Sequence, residues 1–412
     1  MKEVNHEVSQ SETTSEKSNA HIGGLPKKSM LVVDVKKNEH TPDKSAKNSH
    51  DNKYQDISIF VKRIVLDPAL RQCKLINKAA LKYFVETLQI KNVLVCIRDY
   101  VLMNKGHVMQ EFVGKVWNGI RAPGIFLDWS LESVVNGAFK GALSTFKADE
   151  NVVKECLFHR VSQNPTTTRE RGTAYSPFSL DYISPEIQLK WPCNVVITKS
   201  HLTSLVEVNT TLMRLQVMAH MLHRSWVSLK VICAERRKLD TFKKLPNVFH
   251  IYRRDASQFV DAFYNYVVQS ADVSWVTLYR ELEGANTNAV EDLHGLILAF
   301  ENFTCSTLER TFIRNKKVMN CLIENLSTIA ELCAMIETLY VSVTALMVSS
   351  TYVNNEVLKD SVSQFDLFNQ QMHRSFQKFN RGKKSLQSIL TELNAGRSQE
   401  YYGRELLLKL SL

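Results

Sequence analysis

One apolar stripe sets the strongest limit on how this chain folds. Leu202, Leu205, Val206, Leu212, Leu215, Ala219, Leu222, Trp226, Leu229 and Ile232 lie along one line, and their spacing is that of one helix face continued over about 30 residues. Ser200 is a suitable N-cap for such a helix. At a rise of about 1.5 Å per residue it is roughly 45 Å long. Breakers are scarce elsewhere too, with 14 glycines and 9 prolines in 412 residues. Helix interiors exclude both residues, glycine for its backbone entropy and proline for its missing donor and ring clash. The chain therefore reads as long helices joined by few turns.

Other helical patterns flank the stripe. They cover Leu75–Leu88, Val93–Met103, Val108–Ile120 and Leu131–Phe146 before it. After it come about Ala256–Ser270, Ser274–Gly284, Val290–Cys305, Leu308–Leu322, Ile323–Ser350 and Glu356–Leu393. Ile57–Leu66 is apolar and β-branched, fitting either a strand or the first turns of a helix. Residues 147–178 turn polar, with Pro165, Gly172 and Pro177, and read as a loop or linker. Ser179–Ile183 and Cys193–Thr198 have strand character around Pro185 and Pro192, which predicts a small hairpin. Residues 1–55 carry little apolar surface and are expected to be disordered. The C-terminal stretch Gln399–Leu412 has the leucines to dock onto a bundle. The expected fold is all-α, an elongated array of helical bundles with one small β-hairpin. Its divisions are a disordered tail at 1–56, a helical bundle with linker at 57–178 and a second helical bundle at 179–412.

The net charge is +10, which favours acidic partners. The first 55 residues hold nearly balanced charges, so the excess lies in the folded part. The basic run Arg236, Arg237, Lys238, Lys243 and Lys244, with Arg253 and Arg254 beyond it, is the best electrostatic candidate for a partner contact. A solvated loop is the plainer reading of the same residues. No aromatic residues interleave with these charges as a single-strand nucleic-acid platform needs. The eight cysteines are scattered, with no C-x-x-C pair, and suit a reducing compartment. The most apolar stretch, Ile329–Val348, carries Glu331 and Glu337. Two carboxylates are costly in a bilayer, so it reads as a buried core helix, with no membrane partner expected.

Motifs for chemistry are missing. The sequence has no G-x-x-x-x-G-K-[ST], no G-x-G-x-x-G after a strand, no H-E-x-x-H and no paired Cys/His zinc spacing. His220 and His223 share a helix with Cys233, but a third ligand is missing and the face is apolar, so packed histidines are the better reading. Asp292 and His294 form a possible acid/base pair. With no nucleophile beside them, a capping role is preferred. No enzyme activity and no cofactor are expected.

Four stretches in fixed order resemble a known family. They are 75–117 (LINKAALKYFVETLQIKNVLVCIRDYVLMNKGHVMQEFVGKVW), 179–226 (SLDYISPEIQLKWPCNVVITKSHLTSLVEVNTTLMRLQVMAHMLHRSW), 259–282 (FVDAFYNYVVQSADVSWVTLYREL) and 290–309 (VEDLHGLILAFENFTCSTLE). Together they resemble the C-terminal half of the γ-tubulin complex components, the spindle-pole-body component family. One departure is Leu205 or Val206 where the family's long helix has a tyrosine. The resemblance implies a non-catalytic helical scaffold that binds γ-tubulin, an acidic protein, together with other components of the complex. It further implies support of microtubule nucleation in the cytoplasm, at a centrosome or spindle pole. The alternative from charge alone is a helical nucleic-acid-binding protein, whose affinity would fall steeply with salt.

Overall fold

The computed structural model describes residues 57–121, 131–146, 156–160, 176–189, 191–235, 248–283, 290, 292–349, 355–395 and 403–411. The expected disordered tail lies outside the described residues. The chain divides into two compact units, Met1–Ile64 and Val65–Leu412. In the first, residues 57–61 are helical, which decides between the two readings of that stretch.

The second unit opens with α1 (Asp67–Lys82), followed by one wide π turn, Tyr83–Thr87. Leu75 and Ile76 are helical as their spacing predicts, yet both are exposed; burial begins at Phe84. Helix α2 (Ile90–Cys96) runs into a second π turn, Ile97–Val101. Met103 then takes a left-handed φ of 55° and reverses the chain into α3 (Gly106–Arg121). Helix α4 (Leu131–Thr145) packs on α3 through an edge-on contact of Phe139 with Phe112, and the same ring meets Tyr100 of the Ile97–Val101 turn edge-on.

The small antiparallel sheet is present with different strands from those expected. β1 (Cys156–Arg160) falls in the segment read as a linker, and β2 (Ile183–Ile187) pairs with it from Cys156 opposite Ile187 to Arg160 opposite Ile183. In β2 the buried residues are Ile183, Pro185 and Ile187, the period of two that a strand requires. The expected second strand is instead a helical turn, α5 (Cys193–Val196). Its buried residues Cys193, Val196 and Ile197 fall at i, i+3 and i+4, so burial selected the helical period over the β-branched composition.

Helix α6 (Lys199–Glu235) is the long helix the stripe predicted. It starts one residue before Ser200, and the Thr198 hydroxyl accepts from the His201 amide at 3.5 Å. Burial extends well beyond one stripe. Leu205, Val208, Leu212, Met213, Leu215, Val217, Met218, Met221, Leu222, Leu229 and Ile232 are all inside. The helix touches α3, the Ile97–Val101 turn, β2, α7, α8 and α9, so its middle is enclosed rather than lying on a surface, while Val227 and Val231 nearer its end are exposed.

The remaining helices pack around it. Helix α7 (Val248–Leu282) joins two patterns that the sequence separates. Helix α8 (Leu293–Arg310) starts at Asp292, whose carboxylate accepts from the Gly295 amide at 2.6 Å, so Asp292 is a cap. The pattern expected to run through Leu308–Leu322 is broken at Phe312, which has a left-handed φ of 57°. That bulky residue is held by a stacked Tyr266 ring at 6.0 Å, and the Tyr266 hydroxyl donates to the Arg310 carbonyl at 2.6 Å. Asn315 then caps α9 (Lys316–Ser349). By length and apolar composition alone α9 could cross a membrane. Here it is a core helix pressed between α6 and α10 (Asn355–Ala395). Its buried Glu337 accepts from Arg224 at 3.1 Å and Ser228 at 3.0 Å on α6. The last helix, α11 (Arg404–Ser411), docks on α7 and α10 with Leu406 and Leu410 buried, as expected of the C-terminal leucines.

Two close approaches yield tests. The Ile97–Val101 turn leaves the Val101 carbonyl at a reversal of the chain, where buried Asn209 of α6 donates to it at 2.7 Å. Beside it Arg98 lies 4.3 Å above the Trp275 ring and binds Asp272 at 2.8 Å, tying the turn to α7. An Asn209→Ala variant strands that carbonyl and is expected to lose about 1–3 kcal/mol, read as a lower urea midpoint. An unchanged midpoint would contradict the role. Between α9 and α10, a Cβ on Gly382 would lie 2.9 Å from Asn325 Cγ. Asn325 is not free to retreat, since its amide donates to the Cys321 carbonyl at 2.7 Å. Gly382→Ala is therefore expected to destabilise by about 1–3 kcal/mol despite alanine's better helix propensity. Adding Asn325→Ala should return at least part of that loss in a double-mutant cycle. Strict additivity would show that the clash is absorbed elsewhere.

Candidate partner-binding surface

Arg236, Arg237, Lys243 and Lys244 lie outside the described residues. Arg253 and Arg254 stand in the second turn of α7, and the structure shows how that turn is fixed. Tyr252 stacks on Phe376 of α10 with ring centroids 3.7 Å apart, and its hydroxyl shares a 2.7 Å hydrogen bond with His373 Nδ1. On the α6 side, Cys233 Sγ lies 3.4 Å from His250 Nε2. Burial, followed by the positive charge of Arg253, holds the His250 imidazole below its ordinary pKa.

The two arginines differ in setting. Arg253 is half-buried, and its Nε is enclosed without a hydrogen-bond partner. Burial lowers its pKa, but a guanidinium remains charged. Its charge opposes the rise of the Cys333 thiol on α9, which burial pushes up to about 12. That thiol is protonated and packs as a small hydrophobe. Arg254 is exposed.

Both arginines line an open groove of about 480 Å³ with Ser257, Gln258, Asp261 and Ala262 of α7 and Lys409 of α11. Desolvation raises the Asp261 carboxyl pKa, against a hydrogen bond from Ser257 at 3.2 Å that lowers it. Lys409 is shared with Glu405 at 2.8 Å and Gln269 at 3.3 Å. The groove thus carries three cations and one carboxylate. What it offers a partner is charge and hydrogen-bond donors. The sequence did not reveal Lys409, because only the docking of α11 on α7 brings it beside residues some 150 positions earlier.

The His220 ring meets the Trp117 edge at 5.1 Å, and His223 tilts against Trp226 at 5.6 Å. Among the described residues no group of three His, Cys, Asp or Glu is placed to hold a metal. His294 is exposed at the start of α8, while its neighbour Asp292 serves as the cap. Cys73, Cys96, Cys193, Cys233, Cys305, Cys321 and Cys333 are all free thiols.

Two comparisons bear on this fold. The model of the family described as gamma tubulin complex component C-terminal matches residues 91–412. Among curated proteins, Gamma-tubulin complex component 3 of Arabidopsis thaliana is 24% identical over 240 residues, which is 56% of this chain and 27% of that relative. The match therefore takes in about a quarter of the relative's length. Neither comparison points to nucleic-acid binding. The matched region runs from α2 to the C-terminus and includes α6, the helices enclosing it and the groove of α7 and α11. On that match the chain belongs to the γ-tubulin complex component family, through its C-terminal domain.

Proposed function

We propose that this protein is a non-catalytic scaffold subunit of the γ-tubulin complex. It binds γ-tubulin through the C-terminal bundle, residues 179–412, alongside other complex components. In this way it supports microtubule nucleation at a cytoplasmic organising centre such as the centrosome or spindle pole. The observation that carries this reading is the family match over residues 91–412. The charge agrees with it: a chain of net charge +10 suits an acidic partner. The groove of Arg253, Arg254 and Lys409, with the basic run at Arg236, Arg237, Lys243 and Lys244, is the proposed contact. A guanidinium paired with carboxylates at the centre of an interface is a common hot spot.

The test uses the full chain. Arg236, Arg237, Lys243, Lys244 and Arg254 are replaced together by glutamate, and co-sedimentation with purified γ-tubulin is measured at fixed salt. Recovery should fall by about tenfold or more while the circular-dichroism spectrum is unchanged. Undiminished recovery would remove this surface from the interface. For the wild-type chain, recovery should also decline as salt rises from about 50 to 300 mM, because the Debye length shortens. Salt-independent binding would assign the contact to apolar surface instead.

A further inference from the structure

Helix α10 carries a second basic feature, separate from the α7–α11 groove. From Leu367 to Thr391 it contains no aspartate or glutamate, yet it holds Arg374, Lys378, Arg381, Lys383 and Lys384. At about 100° per residue, Arg374, Lys378, Arg381 and Lys384 fall within an arc of roughly 120° and span ~15 Å along the axis. All four are exposed. The inward face of the helix is committed elsewhere: Met372, Phe379, Leu386 and Leu390 are buried. Gly382 meets Asn325 of α9, and Gln387 donates to the Leu410 carbonyl of α11 at 2.9 Å. The cationic arc therefore points to solvent by construction.

Among the described residues these cations are almost unpaired. Lys378 lies 3.8 Å from Glu331, with both side chains more than half exposed, a pair that contributes little. Arg374, Arg381 and Lys384 have no acidic partner among the described residues. Among the other exposed positions on this face, Gln370, Gln377, Ser385 and Ser388 are neutral and polar, and Leu367 is apolar. The next carboxylate on that face is Glu392, about two turns beyond Lys384. Like charges spaced three and four apart on a helix repel one another. The arrangement thus costs some stability in the isolated chain, a cost that an acidic partner would relieve.

We infer that the exposed arc of α10 formed by Arg374, Lys378, Arg381 and Lys384 docks an acidic helical segment of another protein. The occupant follows from charge and periodicity. Cations at i, i+4, i+7 and i+10 match carboxylates repeating at i, i+4 and i+7 on an antiparallel helix. The arc carries no exposed aromatic residue on which bases could stack, which disfavours single-stranded nucleic acid. Its one exposed apolar side chain among the described residues is Leu367, two turns before Arg374, and a single leucine is too little to enter a lipid interface, which disfavours a membrane. The inference does not depend on γ-tubulin being bound at the α7–α11 groove.

The experiment measures fluorescence anisotropy of a labelled, helix-stabilised peptide with glutamates at i, i+4, i+7 and i+11, titrated with the full chain at about 50 mM salt. An alanine version of the peptide is the control. Duplex DNA and phosphatidylserine vesicles are competing probes. The wild-type chain should bind the glutamate peptide and prefer it to both probes. The variant Arg374→Glu/Arg381→Glu/Lys384→Glu, with an unchanged circular-dichroism spectrum, should lose about tenfold or more in affinity. It should also gain binding to the lysine version of the peptide, a charge-swap rescue that general damage would not produce. Equal binding by variant and wild type, or preference of the wild type for DNA or vesicles, would overturn the inference. The basic-run variant that tests the γ-tubulin contact leaves the arc intact, so it should bind the peptide as wild type does, and the two readings can fail separately.

Discussion

Between Leu205 and Leu222 helix α6 has to bury nearly its whole circumference, while Val227, Lys230 and Val231 beyond it are exposed, and much of the second unit is arranged to satisfy that need. A helix with one apolar face is covered by one or two neighbours. A 37-residue helix that places Leu205, Val208, Leu212, Leu215, Val217, Met218, Met221 and Leu222 inside needs cover on every side of that stretch. The α3 and α7–α9 helices, the sheet edge at β2 and the turn before α3 provide it. Apolar surface removed from water contributes about 25 cal/mol per Å², and burial of this kind is the dominant favourable term in folding.

Enclosure also forces polar groups on α6 to find partners inside. Asn209 donates to the carbonyl of the Ile97–Val101 turn, and Ser228 and Arg224 hold the Glu337 carboxylate on α9. Such contacts add little net stability, but a buried group without its partner is costly. They therefore fix the rotation and height of α6 against α9 and the Ile97–Val101 turn. Once α9 is set, α10 follows through the Gly382–Asn325 approach, and α11 closes over α7 and α10. Both basic surfaces, the groove and the α10 arc, hang on this chain of dependencies.

Much of this was legible in the sequence, and the failures have definite causes. Long helices with strong 3–4 spacing were found, and the docking of the C-terminal leucines was anticipated. The stripe on α6 understated its burial, because residues such as Met213 and Val217 fall outside any single face and are buried only when neighbours surround the helix. The break at Phe312 carries no glycine or proline; tertiary stacking by Tyr266 holds it. The wrong second strand came from reading β-branched composition at 193–198, where burial follows the helical period. Of the candidate contact, Arg253 and Arg254 were visible as local charge. Lys409 was not, since it arrives from α11. The α10 arc was visible only as an absence of carboxylates over 25 positions, a signal that apolar periodicity does not register.

The family match and the surfaces lead to one physical claim, that the C-terminal bundle is a scaffold whose cations meet γ-tubulin. Its most direct measurement is amide hydrogen exchange on the full chain, alone and with saturating γ-tubulin. The account predicts new protection within residues 179–412, strongest over 236–261 and at Arg404–Ser411, with α3 unchanged. Protection confined to residues before 179, or none anywhere under saturating conditions, would contradict it.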